Sequence, residues 1–312
     1  MKPRLLQHGR LMASLEEALA AHFDLHGLWR EADPQAFLAA RGREFVGLAT
    51  SARFGADRAL VEALPRLQVI ASFGVGVDTI DLAAARERGV AVSNTPDVLT
   101  DCVADLAFGL LLDAARRLSA ADRFVRRGDW LNGQFPLATR VWGKNLGIVG
   151  LGRIGAAIAR RAGGFAMPVR YHNRRPVENC PYDHEASLTS LASWADFLVI
   201  ACAGGAATRQ LVSREVIEAL GPAGFLVNVS RGSVVDEPAL VAALQAGRIA
   251  GAALDVFDDE PNVPPALMRL DNVVLLPHIA SATTETRQAM ADCVLANLRS
   301  WFDRGRLLTP VP

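Results

Sequence analysis

The sequence lacks the features that would assign it to a membrane-bound, secreted or nucleic-acid-binding class. Its 33 Lys and Arg residues equal its 33 Asp and Glu residues, so no basic excess attracts nucleic acid or an anionic membrane. No apolar run approaches the ~20 residues that span a bilayer, and polar residues interrupt the N-terminus too early for a signal peptide. We therefore expect a soluble, cytoplasmic protein without a nucleic-acid or membrane partner.

Cysteine is scarce and widely spaced. The four cysteines are Cys102, Cys180, Cys202 and Cys293, and no two of them form a C-x-x-C pair. This spacing favours isolated thiols in a reducing compartment over disulfides or a metal site. We therefore predict no bound metal.

What the chain does contain is an alternation of short apolar strands and helical patterns, which is typical of a parallel α/β sheet. At 312 residues, about half of them apolar, the chain is long enough for two domains. In the first part the predicted strands are Arg4–Gln7, Phe45–Ala49, Gln68–Ala71 and Val90–Val92. The predicted helices there are Ser14–His22, Asp57–Leu64 and Asp81–Arg88, each with its first residue as N-cap.

The second part begins with a long helical pattern, Val98–Leu118, and ends with another, Thr284–Arg304. Residues 119–144 form a long irregular stretch whose middle has no clean period. Aromatic residues in such a stretch, here Trp130 and Trp142, usually cover a core or a subunit interface, and we favour the interface. Six further strands around one switch point suit a doubly wound nucleotide-binding fold. They are predicted at Leu146–Val149, Val169–His172, Phe197–Ile200, Phe225–Asn228, Ala250–Leu254 and Val273–Leu276, with helices that include Ser213–Leu220 and Glu237–Ala246, the latter capped by Asp236.

The run Leu146–Gly155, LGIVGLGRIG, places a glycine-rich turn between a predicted strand and the predicted helix Ala156–Ala162. In such a G-x-G-x-x-G turn, Gly150 allows the tight bend, Gly152 lets the backbone approach a pyrophosphate, and Gly155 lets the helix pack on the strand. The N–H groups and the positive dipole end of the helix then face the diphosphate. The motif predicts a dinucleotide site.

The residues after the next strand indicate which dinucleotide binds. An NAD site usually has an acidic residue about 20 positions beyond the glycines, where it bonds the ribose 2′-hydroxyl. In this chain Asn173 stands at that position, and Arg174 and Arg175 follow it. Because guanidinium groups match a 2′-phosphate in charge and geometry whereas a carboxylate repels it, we predict that NADPH is preferred over NADH.

A second glycine-containing turn, Ser72–Asp78, directly follows the predicted strand Gln68–Ala71. Loops at the carboxyl ends of parallel strands are where such folds bind ligands. Two glycines can leave backbone N–H groups free to hold a carboxylate, but an ordinary structural turn has the same composition. The residues alone leave both interpretations open.

Three later segments each place a polar residue just beyond an apolar strand. These residues are Arg231 in NVSRGSVVDE, Glu260 in DVFDDEP and His278 in PHIAS. Taken alone, each of these residues most often has a structural role. Taken together, the three provide the functional groups that reduction of a 2-keto acid requires. The arginine would hold the carboxylate and polarise the keto oxygen, the histidine would give that oxygen a proton, and the acid would keep the histidine oriented and protonated.

The order and spacing of these motifs resemble the D-isomer-specific 2-hydroxyacid dehydrogenase family over nearly the whole chain. The runs FGVGVDTID at 73–81 and NTPDVLTDCVADLAFGLLL at 94–112 are similar to that family's substrate loop and inter-domain helix. Within the family, YHNRRP at 171–176 resembles the NADPH-dependent glyoxylate/hydroxypyruvate and hydroxyphenylpyruvate reductases. Departures are mild: Cys102 stands where alanine is common, and Cys202 stands where a small residue or proline is common, with an expected sensitivity to thiol reagents.

The resemblance implies roles for individual residues. Arg231 is implied to bind substrate, His278 to be the acid/base and Glu260 its partner. The backbone N–H groups of Val75 and Gly76 are implied to hold the substrate carboxylate. The expected cofactor-binding residues, among which Asp255 would contact the nicotinamide carboxamide, are Gly150, Gly152, Arg153, Ile154, Gly155, Asn173, Arg174, Arg175, Cys202, Val229, Asp255, His278 and Ala280.

The resemblance also implies an α/β architecture of two doubly wound parallel-sheet domains. A flavodoxin-like substrate-binding domain is expected from residues 1–97, completed by 286–312. A Rossmann dinucleotide-binding domain, residues 98–285, would be inserted in it. Because members of the family are generally dimers, we expect a homodimer.

These inferences predict NADPH-dependent reduction of a small 2-keto acid, hydroxypyruvate or glyoxylate, to the D-2-hydroxy acid. One alternative keeps the chemistry and enlarges the side chain, to hydroxyphenylpyruvate or another aryl or branched keto acid, with Phe73 and the 130–142 segment lining the pocket. A second alternative is a non-enzymatic NAD(P)-sensing protein, like the co-repressors that share this fold. A phosphoglycerate dehydrogenase is disfavoured because the substrate loop has no basic residue for a phosphate.

Overall fold

The computed structural model describes residues 2–312 and divides into two compact units, each built on its own parallel sheet. The first unit contains the chain up to residue 99 together with residues 281–312, and the second unit contains residues 100–280. This arrangement confirms the predicted fold class of two parallel-sheet α/β domains.

Strands and helices alternate along most of the chain. The strands are β1 (Arg4–Gln7), β2 (Asp24–Gly27), β3 (Gly47–Ser51), β4 (Val69–Phe73), β5 (Ala91–Ser93), β6 (Leu146–Val149), β7 (Val169–His172), β8 (Asp183–His184), β9 (Phe197–Ile200), β10 (Phe225–Asn228), β11 (Gly251–Leu254) and β12 (Val273–Leu275). The helices are α1 (Ala13–His22), α2 (Pro34–Arg41), α3 (Arg58–Glu62), α4 (Leu82–Glu87), α5 (Thr100–Arg116), α6 (Leu118–Arg126), α7 (Arg153–Ala162), α8 (Leu188–Trp194), α9 (Arg214–Leu220), α10 (Glu237–Gln245), α11 (Pro265–Met268) and α12 (Thr284–Arg304).

The sheet of the first unit has the strand order β2-β1-β3-β4-β5, and all of its pairings are parallel. This is the order of the flavodoxin-like fold. Every residue of β3 and β4 is buried, as expected for central strands of a parallel sheet that is covered on both faces. Leu48, Ile70 and Val92 pack with Phe45 in the core. The loops that follow these strands therefore leave from one edge of a rigid sheet.

The sheet of the second unit has the order β12-β11-β10-β9-β6-β7-β8, and it too is entirely parallel. Because β6 lies between β7 and β9, the strand order reverses beside β6, at the point where doubly wound sheets bind dinucleotides. Every residue of β6, β9 and β10 is buried. Leu198, Ile200, Leu226 and Leu254 belong to the core cluster of this unit.

Most of the predicted elements are confirmed, and the exceptions have identifiable causes. Strands β2 and β8 were not predicted because they are short edge strands with polar residues, which give no apolar run. Ser14 was wrongly predicted as a cap, since α1 begins at Ala13 and its N-cap, Met12, makes no side-chain cap bond. By contrast, the side chains of Asp57, Asp81 and Asp236 each accept a cap hydrogen bond from the backbone of the following helix.

The prediction of irregular structure from residue 119 onward was wrong for its first part, which is helix α6. Arg117 adopts a left-handed conformation, φ 56°, and ends α5. The Asp113 carboxylate then accepts the backbone N–H of Ser119 in the first turn of α6 at 2.8 Å. The apolar pattern is interrupted at this break, so the period cannot be followed across it.

Within residues 2–312, no helix combines the length and the apolar character that crossing a bilayer requires. The four cysteines are free thiols, and each is partly buried.

Candidate active site

The carboxyl ends of β10, β11 and β12 lie side by side in the second unit and carry the three predicted polar segments. The backbone N–H of Asp255 donates to the Asn228 carbonyl at 3.0 Å, and the N–H of His278 donates to the Asp255 carbonyl at 2.8 Å. These bonds extend the strand pairing into the loops. The expectation that the three segments meet at one rim of the sheet is therefore confirmed.

His278 and Glu260 form a direct pair at this rim. The imidazole Nδ1 lies 2.7 Å from Glu260 Oε2, and the other carboxylate oxygen accepts the Phe257 N–H at 3.1 Å. The His278 side chain is 42 % exposed, so the ring edge that Glu260 does not bind faces solvent. His278 has φ 54°, a conformation rare for a non-glycine residue and often found at functional sites. One ring nitrogen is therefore fixed, and the other is open to a ligand.

The electrostatic surroundings keep Glu260 ionised. Burial raises the pKa of the Glu260 carboxyl, but the hydrogen bond and charge of His278, the hydrogen bond from the Phe257 N–H and the charge of Arg231 together lower it by more, so the net pKa lies below its ordinary value. The ionised Glu260 accepts the hydrogen bond from His278 Nδ1 and so fixes the orientation of the ring. A fixed ring is one requirement for a general acid.

Arg231 is held by a tightly bonded turn after β10. The buried Asn228 side chain donates to the Arg231 carbonyl at 2.9 Å and accepts the Ser230 N–H at 3.0 Å. Arg231 Nη1 in turn donates to the Ser230 carbonyl at 2.8 Å. At the next residue, Gly232, an added Cβ would lie only 1.9 Å from the backbone carbon of Phe257, so the loop leading to Glu260 passes directly over this glycine. Sequence reasoning missed the roles of Asn228 and Gly232, although both lie within a motif it singled out.

Asp255 serves chiefly to hold the His278 loop. Its carboxylate is fully buried and accepts the N–H groups of Ile279 at 2.7 Å and Ala280 at 2.8 Å. Burial raises the pKa of the Asp255 carboxyl above its ordinary value, and these N–H groups act in the opposite direction. We therefore assign Asp255 a positioning role, while its contact with a nicotinamide carboxamide stays a prediction.

The glycine turn after β6 is tightly packed at two of its glycines and open at the third. Gly150 has φ 96°, and a Cβ there would lie 2.5 Å from the Cys202 backbone. A Cβ at Gly155 would lie 2.2 Å from the Gly150 carbonyl oxygen, so α7 packs closely on the strand. A Cβ at Gly152 would meet nothing within 4 Å, and this glycine is the N-cap of α7 without a side-chain cap bond. The N-terminus of α7 is therefore open to a bound phosphate group.

Asn173 binds the glycine turn rather than standing free as a ribose ligand. Its Oδ1 accepts the Leu151 N–H at 2.7 Å, and its Nδ2 donates to the Leu151 carbonyl at 3.4 Å. Arg174 and Arg175 next to it are exposed, and neither forms an ion pair or hydrogen bond with any residue in the described range. Asn173 thus fixes the glycine turn relative to two available guanidinium groups.

The remaining predicted cofactor residues lie around the same edge. Arg153 and Ile154 begin α7, and Val229 donates its N–H to the Ile200 carbonyl at 3.3 Å. Cys202 is packed against Gly150. Burial raises the pKa of the Cys202 thiol to about 11. At neutral pH the thiol is protonated, which argues against the expected sensitivity to thiol reagents.

In the first unit, the turn after β4 presents unused backbone donors. Val75 and Gly76 are partly exposed. Across the part of the chain that the structure describes, neither residue's N–H donates a hydrogen bond to another residue. Gly74 has φ 148°, and a Cβ there would lie 2.9 Å from the Ala52 Cβ, so the turn requires glycine at this position. This geometry favours an anion-binding turn over the purely structural alternative.

Comparison with known proteins agrees with these features. Residues 108–280 match the D-isomer specific 2-hydroxyacid dehydrogenase, NAD binding domain. The chain is 49 % identical over 297 residues to a hydroxyphenylpyruvate reductase of Plectranthus scutellarioides, covering 95 % of each chain. It is 43 % identical over 312 residues to a 2-ketogluconate reductase of Gluconobacter oxydans, covering 99 % of each.

A solved structure shows the same architecture. The crystal structure of an NADPH-dependent glyoxylate/hydroxypyruvate reductase from Sinorhizobium meliloti, in complex with NADP and malonate, superposes with a TM-score of 0.94 at 46 % identity. The similarity covers 100 % of this chain and 97 % of that one. The chain belongs to the D-isomer-specific 2-hydroxyacid dehydrogenase family.

The family identifies the class of protein. The chain is an oxidoreductase that uses a nicotinamide cofactor, a 2-hydroxyacid dehydrogenase or 2-ketoacid reductase. The prediction of an enzyme is thus confirmed, and the nucleotide-sensing alternative is not supported.

Proposed function

We propose that this enzyme reduces glyoxylate or hydroxypyruvate to the D-2-hydroxy acid with NADPH, and that His278 supplies the proton. The observation that carries the proposal is the 2.7 Å contact between His278 Nδ1 and Glu260 Oε2, which leaves the other imidazole nitrogen open to substrate. The Sinorhizobium meliloti relative, named an NADPH-dependent glyoxylate/hydroxypyruvate reductase, supports the choice of substrate and cofactor.

Each residue of the second-unit site has a distinct task in this mechanism. Arg231 pairs with the substrate and draws electron density toward the keto oxygen, because its guanidinium offers parallel N–H donors. His278 transfers its proton to that oxygen as negative charge develops. Glu260 stabilises the imidazolium and keeps its ring in one orientation. When bound, the reduced nicotinamide supplies the hydride.

The two units are proposed to divide the binding work. The second unit, which contains the glycine turn, would bind the dinucleotide, and the first unit would bind the carboxylate of the substrate. Within the first unit, the free N–H groups of Val75 and Gly76 would hold the substrate carboxylate, since consecutive backbone donors in a turn form an anion-binding concavity.

The preference for NADPH is assigned to Arg174 and Arg175. Both guanidinium groups are exposed and lie just beyond the end of β7, where the residue that selects the ribose is expected. No carboxylate occupies that position to repel a 2′-phosphate, and the two guanidinium groups attract it.

Hydroxyphenylpyruvate is a second candidate substrate, favoured by the name of the Plectranthus scutellarioides relative. The structure weakens one reason for it. Phe73, expected to line an aryl pocket, is 8 % exposed, and Arg287 lies over its ring at 5.6 Å from the centroid. A panel of keto acids, assayed for kcat/KM with NADPH, distinguishes the two candidates.

Replacing His278 tests the proposed acid. In His278→Gln we expect kcat for glyoxylate and hydroxypyruvate to fall by about 10²–10⁴-fold, because the variant cannot donate the proton. The Kd for NADPH, measured by fluorescence titration, should be retained. The matched control is His22→Gln at the exposed end of α1, which should keep wild-type kcat. Undiminished turnover in His278→Gln would refute the assignment.

The expected homodimer is proposed to form through residues 118–142. No residue of α6 is buried, and the segment after it exposes Trp130, Leu131 and Leu137 by 69 %, 91 % and 101 %. A monomer rarely exposes so many large apolar side chains in one short stretch. A second copy of the chain is the occupant we propose for this surface.

A further inference from the structure

The turn after β4 is held by the two residues that follow β5. The Thr95 N–H donates to the Gly74 carbonyl at 3.0 Å. The side-chain Nδ2 of Asn94 donates to the Val75 carbonyl at 2.8 Å. Two consecutive carbonyls of the turn are thus bound from one neighbouring segment.

These two bonds determine where the next two N–H groups point. The Gly74 carbonyl and the Val75 N–H belong to one planar peptide, and the Val75 carbonyl and the Gly76 N–H belong to the next. In a trans peptide the carbonyl and the N–H point in opposite directions. A donor fixed on each carbonyl therefore turns both N–H groups away from residues 94 and 95. The contacts of Asn94 and Thr95 therefore fix the direction of the Val75 and Gly76 N–H groups.

Asn94 is itself bound by the C-terminal segment, residues 306–312. The Thr309 hydroxyl donates to the Asn94 carbonyl at 2.6 Å and accepts from Asn297 Nδ2 at 2.9 Å. The Val311 N–H donates to a carbonyl of β5 at 2.8 Å, so the segment runs beside that strand. A continuous set of hydrogen bonds therefore leads from α12 to the turn.

Asn297 on α12 anchors this set and is fully buried. Its Oδ1 accepts the N–H groups of Leu308 at 2.9 Å and Thr309 at 3.0 Å. Its Nδ2 donates to the Cys293 carbonyl at 2.9 Å as well as to the Thr309 hydroxyl. All four hydrogen-bonding positions of the amide are used, which no carboxylate or alkyl side chain can reproduce.

We propose that Asn94 is a positioning residue of the reductase, and that Thr309 and Asn297 keep it in place. On this proposal the C-terminal segment sets the direction of the two N–H groups that bind the substrate carboxylate. The proposal rests on the proposed function, because it gives the turn a task only if Val75 and Gly76 hold that carboxylate. Since every contact lies in the first unit, the effect should fall on keto-acid binding and spare the nucleotide.

Paired variants of Thr309 test the connection without removing Asn94. Thr309→Val keeps the shape but has no hydroxyl, whereas Thr309→Ser keeps the hydroxyl. We expect the KM for glyoxylate to rise by roughly three- to tenfold in Thr309→Val, the scale of one lost hydrogen bond. Thr309→Ser should remain within about twofold of wild type. The Kd for NADPH should be unchanged in both.

Asn94→Asp tests the last contact directly. Its carboxylate cannot donate to the Val75 carbonyl and repels it, so we expect a KM increase of about tenfold or more. Binding of oxamate, an unreactive 2-oxo acid analogue, to the enzyme–NADPH complex should weaken by the same factor. A parallel rise in the Kd for NADPH would indicate general damage and would overturn the proposal.

A readout independent of activity separates this proposal from the proposed function. Backbone ¹⁵N order parameters of Val75 and Gly76 should fall in Thr309→Val and Asn94→Asp and stay at wild-type values in Thr309→Ser. Equal order parameters and equal KM values in all three variants would overturn the positioning role and leave the reductase intact. If instead the wild-type enzyme reduces no keto acid and does not bind oxamate, the proposed function fails, whatever the order parameters show.

Discussion

Arg174 and Arg175 are exposed neighbours just beyond β7, and the proposed choice of cofactor depends on them. In the double variant Arg174→Ala/Arg175→Ala we expect kcat/KM with NADPH to fall by roughly tenfold or more, the scale of one or two lost charge-assisted hydrogen bonds. With NADH the value should hardly change, since the 2′-hydroxyl carries no charge. Parallel assays with both cofactors measure the ratio.

A matched control uses Arg269, which is exposed in the same unit just after α11. Arg269→Ala should leave the ratio of the two cofactors at its wild-type value. If the wild-type enzyme is equally efficient with NADH, the role given to the arginine pair is wrong.

For individual residues, the sequence predicts which side chains could take part in the chemistry better than it predicts which side chains contact each other. Arg231, Glu260 and His278 could be selected because each follows an apolar strand within a recognisable motif, and the structure brings them to one rim. Asn94 and Thr309 could not be selected, because their contact joins residues 215 positions apart in the chain. A polar residue that acts through a distant hydrogen bond leaves no local pattern.

The N-terminus of α7 and the turn before it form the element on which nucleotide binding depends. Gly152→Ala should leave the thermal midpoint near its wild-type value, because the new methyl group meets nothing within 4 Å. The Kd for NADPH should nevertheless rise by about tenfold or more, since the methyl group occupies the path of the diphosphate. Thermal unfolding and fluorescence titration measure the two effects separately.

The neighbouring glycine provides the opposite case. In Gly150→Ala the methyl group would lie 2.5 Å from the Cys202 backbone at a φ of 96°, so we expect a thermal midpoint several degrees lower, on the order of the 1–3 kcal/mol such strain costs. An equal loss of stability in both variants would contradict the assignment of Gly152 to ligand contact.

Among the secondary-structure elements, three central strands of the second unit match their predicted bounds. Strands β6, β9 and β10 are fully buried, and apart from Gly147 and Asn228 all of their residues are apolar. In the first unit, the equally buried β3 and β4 begin one or two residues later than predicted. Strand β2 was not predicted, because Asp24 and His26 give this edge strand the polar composition of a loop. The break between α5 and α6 was missed for another reason. The left-handed conformation of Arg117 ends α5, and the Asp113 carboxylate accepts the Ser119 N–H in the first turn of α6, neither of which periodicity reveals.

For the whole molecule, the assembly is the property most open to test. Light scattering should give a mass of twice the 33.4 kDa chain for the wild-type enzyme. The triple variant Trp130→Ser/Leu131→Ser/Leu137→Ser should shift the mass toward the monomer, because it removes large apolar side chains from the proposed interface. Met268→Ser, at an apolar residue 61 % exposed outside the segment, is the control and should leave the dimer intact. A wild-type protein that is monomeric at micromolar concentration would contradict the proposed interface.

The first unit is discontinuous in the chain, and this has a consequence for biosynthesis. Helix α12 packs on β4 and the C-terminal segment runs beside β5, yet both emerge from the ribosome only after all of residues 100–280. The second unit can close its core before α12 has been translated, whereas the first unit cannot. Loop-closure entropy grows only logarithmically with length, so the inserted chain delays the first unit more than it destabilises it. The turn proposed to bind the substrate is thus completed by residues that are synthesised after the whole inserted unit.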